Sequence, residues 1–403
     1  MLRRHATGRL LVAGVLVLAL VAGACGGDDD DDGSGASPST ETDGGGGGSS
    51  SGGGGDVEAA QARVDAFRKP VEELPFNEPL SEAPGSKKLF YVQCSVPVCA
   101  EIATGIKAAA EAIGWEYETA SHQDTPDTVA RAFDTAIAAN PDVVLTSGNP
   151  REWFKEQLAT LRERNIPVIA WSLPEPYEPG DGIAANLLTG DDYYFYGVLM
   201  ADYAAVTSEN KKILFVGLPT FPVLSLVQDG FEAEIAKVCP DCDVEVKEVA
   251  IADIGTNLPG QVVSALQSDP ELDFVVYAFG GMLFGVPDAL ASAGLVDQAK
   301  AISQAGGPLN FQFIADGTHQ VAEVGLASEL LGWRAVDAAA RVLQGDSPGS
   351  ATPPEEASIA GHPDVLVNGL PLQILEKDSI EDPSALWPGV KGFQEKFKSL
   401  WGV

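Results

Sequence analysis

KKLFYVQ (87–93), DVVLTS (142–147) and PVIAWS (167–172) are three short runs of apolar and β-branched residues, and the segments between them carry apolar side chains at helical spacing. After the first run, Ile102, Ile106, Ala109 and Ile113 recur every three or four residues until Gly114 stops them. A short strand over 116–119 follows, and then Val129, Ala132, Phe133, Ala136 and Ile137 mark the stripe of a second helix. The spacing predicts a third helix over 153–164. Strands that alternate with helices this closely pair in parallel, because each crossover helix returns the chain to the same end of the sheet. The fold class is α/β.

Beyond the turn PEPYEPG (174–180) the alternation restarts. Strands are expected at 182–188, 211–217, 243–251, 273–279 and 300–304, with helices at 192–206, 223–237, 257–268 and 283–293. A last strand near 319–324 and a helix bearing Leu331, Ala335, Ala338 and Val342 close the pattern. Two successive Rossmann-like lobes with parallel sheets make a clamp. Ligands of such sheets lie outside the C-terminal ends of the strands. The residues there nominate Ser95, Asn149, Trp171, Asp192, Tyr193, Phe221, Phe279 and Gln304 as lining a ligand. Trp171 and Phe279 offer flat faces, while Ser95, Asn149 and Gln304 offer orienting hydrogen bonds.

The 403 residues hold 25 Lys+Arg against 58 Asp+Glu, a formal charge of −33. Residues 1–24 have three arginines and no acid, 25–56 have eight acids and no base, and the body from 57 onward carries −28. So acidic a surface excludes a nucleic-acid binder. MLRRHATGR followed by the apolar stretch Leu10 to Ala24 reads as a signal peptide over 1–24, too short for a membrane span. Its end, Val21-Ala22-Gly23-Ala24-Cys25, resembles the lipobox of bacterial lipoproteins, with Ala22 where leucine is usual; the resemblance implies lipidation of Cys25. Residues 25–56, rich in Gly, Ser and Asp, form a tether with a mean reach of about 30 Å.

The order and spacing of several blocks resemble the type I periplasmic binding proteins, in particular the ribose-like sugar-binding branch. They include AEIATGIKAAAEAIGWEYE (100–118), TGDDYYFYGVLMADY (189–203), QDGFEAEI (228–235) and ELLGWRAVDAAARVLQGD (329–346). The resemblance implies two lobes joined by three crossovers: 87–185 with 307–345 in the N-terminal lobe and 186–306 in the C-terminal lobe. Residues 57–86 are an irregular lead-in, and 346–403 a tail laid over the hinge, with a surface helix from Leu386 to Trp401. The sugar site transfers poorly. The arginine of the family's R-x-x-G-F motif falls on Val227, its N-D acceptor on Phe279-Gly280-Gly281 and its F-D-G on Gln304-Ala305-Gly306. Arginine and aspartate grip vicinal hydroxyls in pairs. Their loss points to a neutral or partly apolar ligand.

Besides Cys25, the cysteines form two close pairs, Cys94/Cys99 and Cys239/Cys242. In an exported body disulfides are expected. Cys239-Pro240-Asp241-Cys242 also matches the C-x-x-C of redox proteins, but it follows a helix instead of opening one, which favours a structural staple. The sequence leaves the state of Cys94/Cys99 open. The four histidines lack metal spacing, and neither a G-x-S-x-G elbow nor a Walker loop occurs, so no metal, cofactor or catalytic residue is expected. The expected protein is a monomeric, extracytoplasmic lipoprotein on the outer face of the cell membrane, capturing a small molecule for an ABC permease. A receptor subunit feeding a membrane sensor is the alternative, and an unrecognised enzyme the third.

Overall fold

The computed structural model describes residues 56–75, 77–175, 180–349 and 369–403. The signal peptide, Cys25 and residues 25–55 of the tether lie outside the described residues.

The first lobe is a five-stranded parallel sheet in the order β2-β1-β3-β4-β5, with β1 at Lys88–Gln93, β2 at Glu116–Ser121, β3 at Val143–Ser147, β4 at Val168–Trp171 and β5 at Ile183–Asn186. Every residue of β3 and β4 is buried, as parallel strands covered on both faces require. Helices α2 (Pro97–Ile113), α3 (Pro126–Ala139) and α4 (Lys155–Glu163) connect the strands. Gly114 ends α2 with φ of 78°, a left-handed cap. Phe133 stacks on Phe154 at 4.4 Å within the core on one face of this sheet.

The second sheet runs β11-β10-β9-β8-β6-β7, with β6 at Lys212–Gly217, β7 at Asp243–Glu248, β8 at Phe274–Tyr277, β9 at Lys300–Gln304, β10 at Gln320–Val324 and β11 at Ile374–Glu376. All its pairings are parallel except β10 with β11. Helices α5 (Gly190–Thr207), α6 (Pro222–Val238), α7 (Leu258–Ser268), α8 (Val286–Ala293) and α9 (Pro308–Asp316) accompany it. Helix α5 is apolar nearly all round and buried along most of its length, the pattern of a helix enclosed by protein. It crosses α6 at Gly197 and Gly230; a Cβ on either would stand 2.0 Å from a backbone carbonyl of the other helix.

Three expectations need correction. The resemblance places the strand near 319–324, with 307–345, in the N-terminal lobe, yet β10 pairs with β9, and α9 lies in the same β/α unit. Burial in a parallel sheet dictates an apolar run without naming the neighbouring strand. The chain returns to the first lobe only after Val324, where α10 (Ser328–Leu343) packs along α2. Second, the lead-in is not irregular throughout. Asp56 caps α1 (Val57–Phe67), whose Ala60, Val64 and Phe67 are buried, Phe67 lying edge-on to Phe195 of α5. Arg63 anchors it by donating to Asp202 at 2.6 and 2.9 Å and also to Glu234.

Third, the final helix begins seven residues later than its apolar spacing suggests. Pro388 precedes it, and Gly389 and Gly392 take φ of 69° and 73°, so α11 spans only Phe393–Trp401. Trp387 instead lies against Gly325, at the crossover behind β10. The tail thus enters the second sheet as β11 and leaves it to pack α11 on α10. Together with the lead-in, which starts on α5 and reaches Leu400 through the Leu80 N–H at 2.9 Å, it ties both lobes behind the hinge.

Candidate functional site

Strand C-termini of both sheets converge on a cavity of about 100 Å³ between the lobes. Cys94, which follows β1, Asp124, Ser147-Gly148 and Trp171-Ser172 furnish one wall, with the disulfide loop and Ile102. Tyr193 of α5, Phe221, Val223 and Leu224 at the start of α6, Phe279 behind β8 and Gln304-Ala305 of β9 furnish the other. A larger groove of about 910 Å³ runs outside, between residues 68–72 and the tail. It stands off the strand ends and is bordered by side chains already paired, Arg68 with Glu376 and Lys391 with Glu381, so the interlobe cavity is the candidate site.

Five of the eight nominated residues line this cavity: Trp171, Tyr193, Phe221, Phe279 and Gln304. The other three do not line it. Exposed Ser95 donates from its backbone N–H at 3.1 Å, and from its hydroxyl, to Asp124, which does line the wall. Asn149 donates to the Ser147 carbonyl at 2.9 Å and faces His122 Nε2 at 3.2 Å, bracing two loops. Asp192 accepts from the Thr189 N–H at 2.6 Å and hydroxyl at 2.8 Å as the capping carboxylate of α5.

Several lining residues gave little signal in the sequence. Asp124 was missed because β2 runs on to Ser121 instead of ending at 119, which carries the following loop over the cavity. Val223 and Leu224 read as ordinary helix residues, and only the approach of the lobes puts them on the wall. Backbone geometry marks the place as well: Asp124, Ser172 and Ala305 have φ of 51°, 59° and 52°. Such left-handed conformations are costly for residues with a Cβ and concentrate where the surroundings enforce them.

The polar groups are few and held in place. Ser172 Oγ and the Tyr193 hydroxyl lie 2.7 Å apart, and burial pushes the phenol up to about 12, so it stays protonated. Gln304 donates from Nε2 to the Ala278 carbonyl at 2.9 Å, while its buried Oε1 has no partner among the described residues. The cavity mouth is closed on one side by the Cys94–Cys99 disulfide, Cα atoms 5.7 Å apart, at the entry to α2. Cys239 and Cys242 are also bridged, with Cα atoms 5.3 Å apart, between α6 and β7. Both pairs are bridged in the structure, and the C-x-x-C bridge joins a helix end to a strand.

A two-lobed α/β molecule with its cavity at the switch between sheets is matched over residues 92–347 by the family model described as a periplasmic binding protein domain. The chain belongs to the periplasmic binding protein family. Its fold is that of the type I members. An ABC transporter solute-binding protein from Agrobacterium vitis, bound with alpha-D-tagatopyranose, superposes with a TM-score of 0.60 at 19% identity, covering 74% of this chain and 97% of that one. A solute-binding protein from Mycobacterium smegmatis with bound glycerol gives 0.58 at 21% identity, covering 73% and 95%. GanP, a glucose-galactose binding protein from Geobacillus stearothermophilus, gives 0.59 at 18%, covering 73% and 99%. No curated protein sequence matches the chain. Periplasmic binding proteins are extracytoplasmic solute binders, and that role is this chain's.

Proposed function

We propose that this periplasmic binding protein captures a small solute with a largely apolar body and presents its closed form to the permease of an ABC importer, tethered to the outer face of the membrane through lipid on Cys25. The observation that carries the reading is the composition of the cavity wall. Trp171, Tyr193, Phe221 and Phe279, together with Val96, Val98, Val223 and Leu224, surround a space served by few polar atoms. Val227, at the position of the sugar binders' arginine, is buried in the α5–α6 packing and does not line the cavity. A pyranose needs paired donors and acceptors for its vicinal hydroxyls. This wall supports a neutral or partly apolar molecule better than a hexose.

A ligand closes such a clamp only by contacting both lobes, since closure requires a free-energy difference between the open and closed complexes. Trp171 on one side and Phe221, Phe279 and Gln304 on the other supply that bridge. Mass spectrometry of the solute that co-purifies with the protein, followed by a thermal-shift panel of sugars against aromatic and apolar compounds, tests the proposal. Saturable, tight binding of glucose or ribose in a calorimeter would overturn it. The anchor is tested separately: Cys25→Ser releases the protein from membranes if the lipid holds it there.

A further inference from the structure

Among the described residues the cavity wall carries one charged group, the carboxylate of Asp124, and no lysine, arginine or histidine. That carboxylate is positioned by its surroundings. The residue sits in the left-handed region, Ser95 donates to Oδ2 from its N–H and its hydroxyl, and Oδ1 lies 3.4 Å from His122 Nδ1. Burial lowers the pKa of His122 against the opposing pull of Asp124, which disfavours a charged imidazole beside this carboxylate. A carboxylate has about four acceptor sites, and these contacts do not fill them.

A second polar feature points the same way. Gln304 is 1% exposed, and because the Ala278 carbonyl can only accept, the amide must present Nε2 to it. Gln304 Oε1 is thereby fixed as an acceptor without a partner among the described residues, an arrangement that costs free energy until a donor arrives. Four aromatic side chains share the wall with aliphatic ones, and aromatic faces carry negative electrostatic potential and attract ammonium groups. A body of net charge −28 adds a long-range field of the same sign.

We propose that the interlobe cavity selects a small organic cation, an alkyl- or arylalkylammonium ion whose nitrogen is held by Asp124, whose donor reaches Gln304 Oε1, and whose carbon body lies among Trp171, Tyr193, Phe221 and Phe279. This assigns a ligand class to the site described under the solute-binding proposal and rests on that reading.

Calorimetry on the full chain with charge-matched pairs tests it: choline against 3,3-dimethylbutan-1-ol, and phenethylammonium against 2-phenylethanol. Within each pair the shape is nearly constant and the charge differs. In at least one pair the cation binds tenfold or more tightly than its neutral partner, and Asp124→Asn removes most of that preference. If that variant fails to fold, Phe279→Leu takes its place and weakens the cation more than the alcohol. Equal or tighter binding of the alcohols, no binding in either pair, or a preference that survives Asp124→Asn overturns the assignment. A co-purifying neutral or anionic solute overturns the cation while leaving solute capture intact, whereas absence of binding by any small molecule sinks both.

Discussion

Trp401 lies face to face with Trp333, ring centroids 5.3 Å apart and planes 6° from parallel, and its Nε1 donates to Asp337 at 2.9 Å. Asp337 also accepts from Arg334 at 3.3 Å and from Arg341 at 3.0 Å, all within a buried patch on α10. The last turn of the chain is therefore built into the first lobe. Trp401→Ala empties the stack and leaves one carboxylate oxygen without its indole donor, so it should cost roughly 3–5 kcal/mol in chemical denaturation. Trp401→Phe keeps a ring and loses the donor, and should cost about 1–3 kcal/mol. A loss well below 1 kcal/mol for the alanine variant would show that the tail is not part of the core.

The crossing of α5 and α6 gives a sharper contrast. Gly230→Ala puts a methyl 2.0 Å from the Tyr194 carbonyl, backbone that cannot rotate away, and the helices must separate. Overpacking of this kind costs roughly 1–3 kcal/mol. Gly260 in α7 is the control, since nothing lies within 4 Å of a Cβ there. Gly260→Ala should be neutral or stabilise by up to about 1 kcal/mol through helix propensity. Melting temperatures that move in the same direction for both variants would contradict the packing argument.

These two helices also show what the sequence reveals and what it hides. The near-continuous apolar run of α5 and the strands FVVY and VVLTS are visible because burial on all sides demands them. Which sheet receives β10 is invisible, since Gln320–Val324 would suit either edge and the choice rests on pairing with β9. In the site, Trp171 and Gln304 were legible as residues at strand ends. Asp124 was hidden by two extra residues of β2, and Ser95, Asn149 and Asp192 have polar side chains that serve neighbouring loops and caps while looking identical in sequence to ligand contacts.

The two disulfides close short loops of similar size, and each contributes about 2 kcal/mol on the chain-entropy model. Their functional weight differs. Cys94 and Cys99 line the cavity, whereas Cys239 and Cys242 lie at the far end of α6. Cys94→Ser with Cys99→Ser should lower both stability and ligand affinity, and Cys239→Ser with Cys242→Ser should lower stability alone. Iodoacetamide without reductant should label none of the four in the native protein. Equal loss of affinity in both double variants would remove the mouth loop from the binding argument.

Glu323, fully buried on β10 beside the crossover to the first lobe, gives the protein a pH-dependent stability with a definite sign. Its carboxyl accepts from the Ser303 hydroxyl, the Gly306 N–H and Gln320 Nε2, and among the described residues no charged side chain hydrogen-bonds to it. Burial outweighs these donors and raises the pKa from 4.5 to about 7. The folded state therefore holds its proton where the unfolded chain has released it. The stabilisation is fully present below pH 4.5 and is lost as pH rises through about 7, a change on the order of 3 kcal/mol. Asp202 and Glu101, also raised by burial, slope the same way, so the informative quantity is the difference between wild type and Glu323→Gln. Glutamine keeps the shape and one acceptor but cannot ionise. Denaturation between pH 4.5 and 7.5 should show the variant gaining on the wild type as pH rises, and parallel curves would mean that Glu323 takes up no proton in the folded protein.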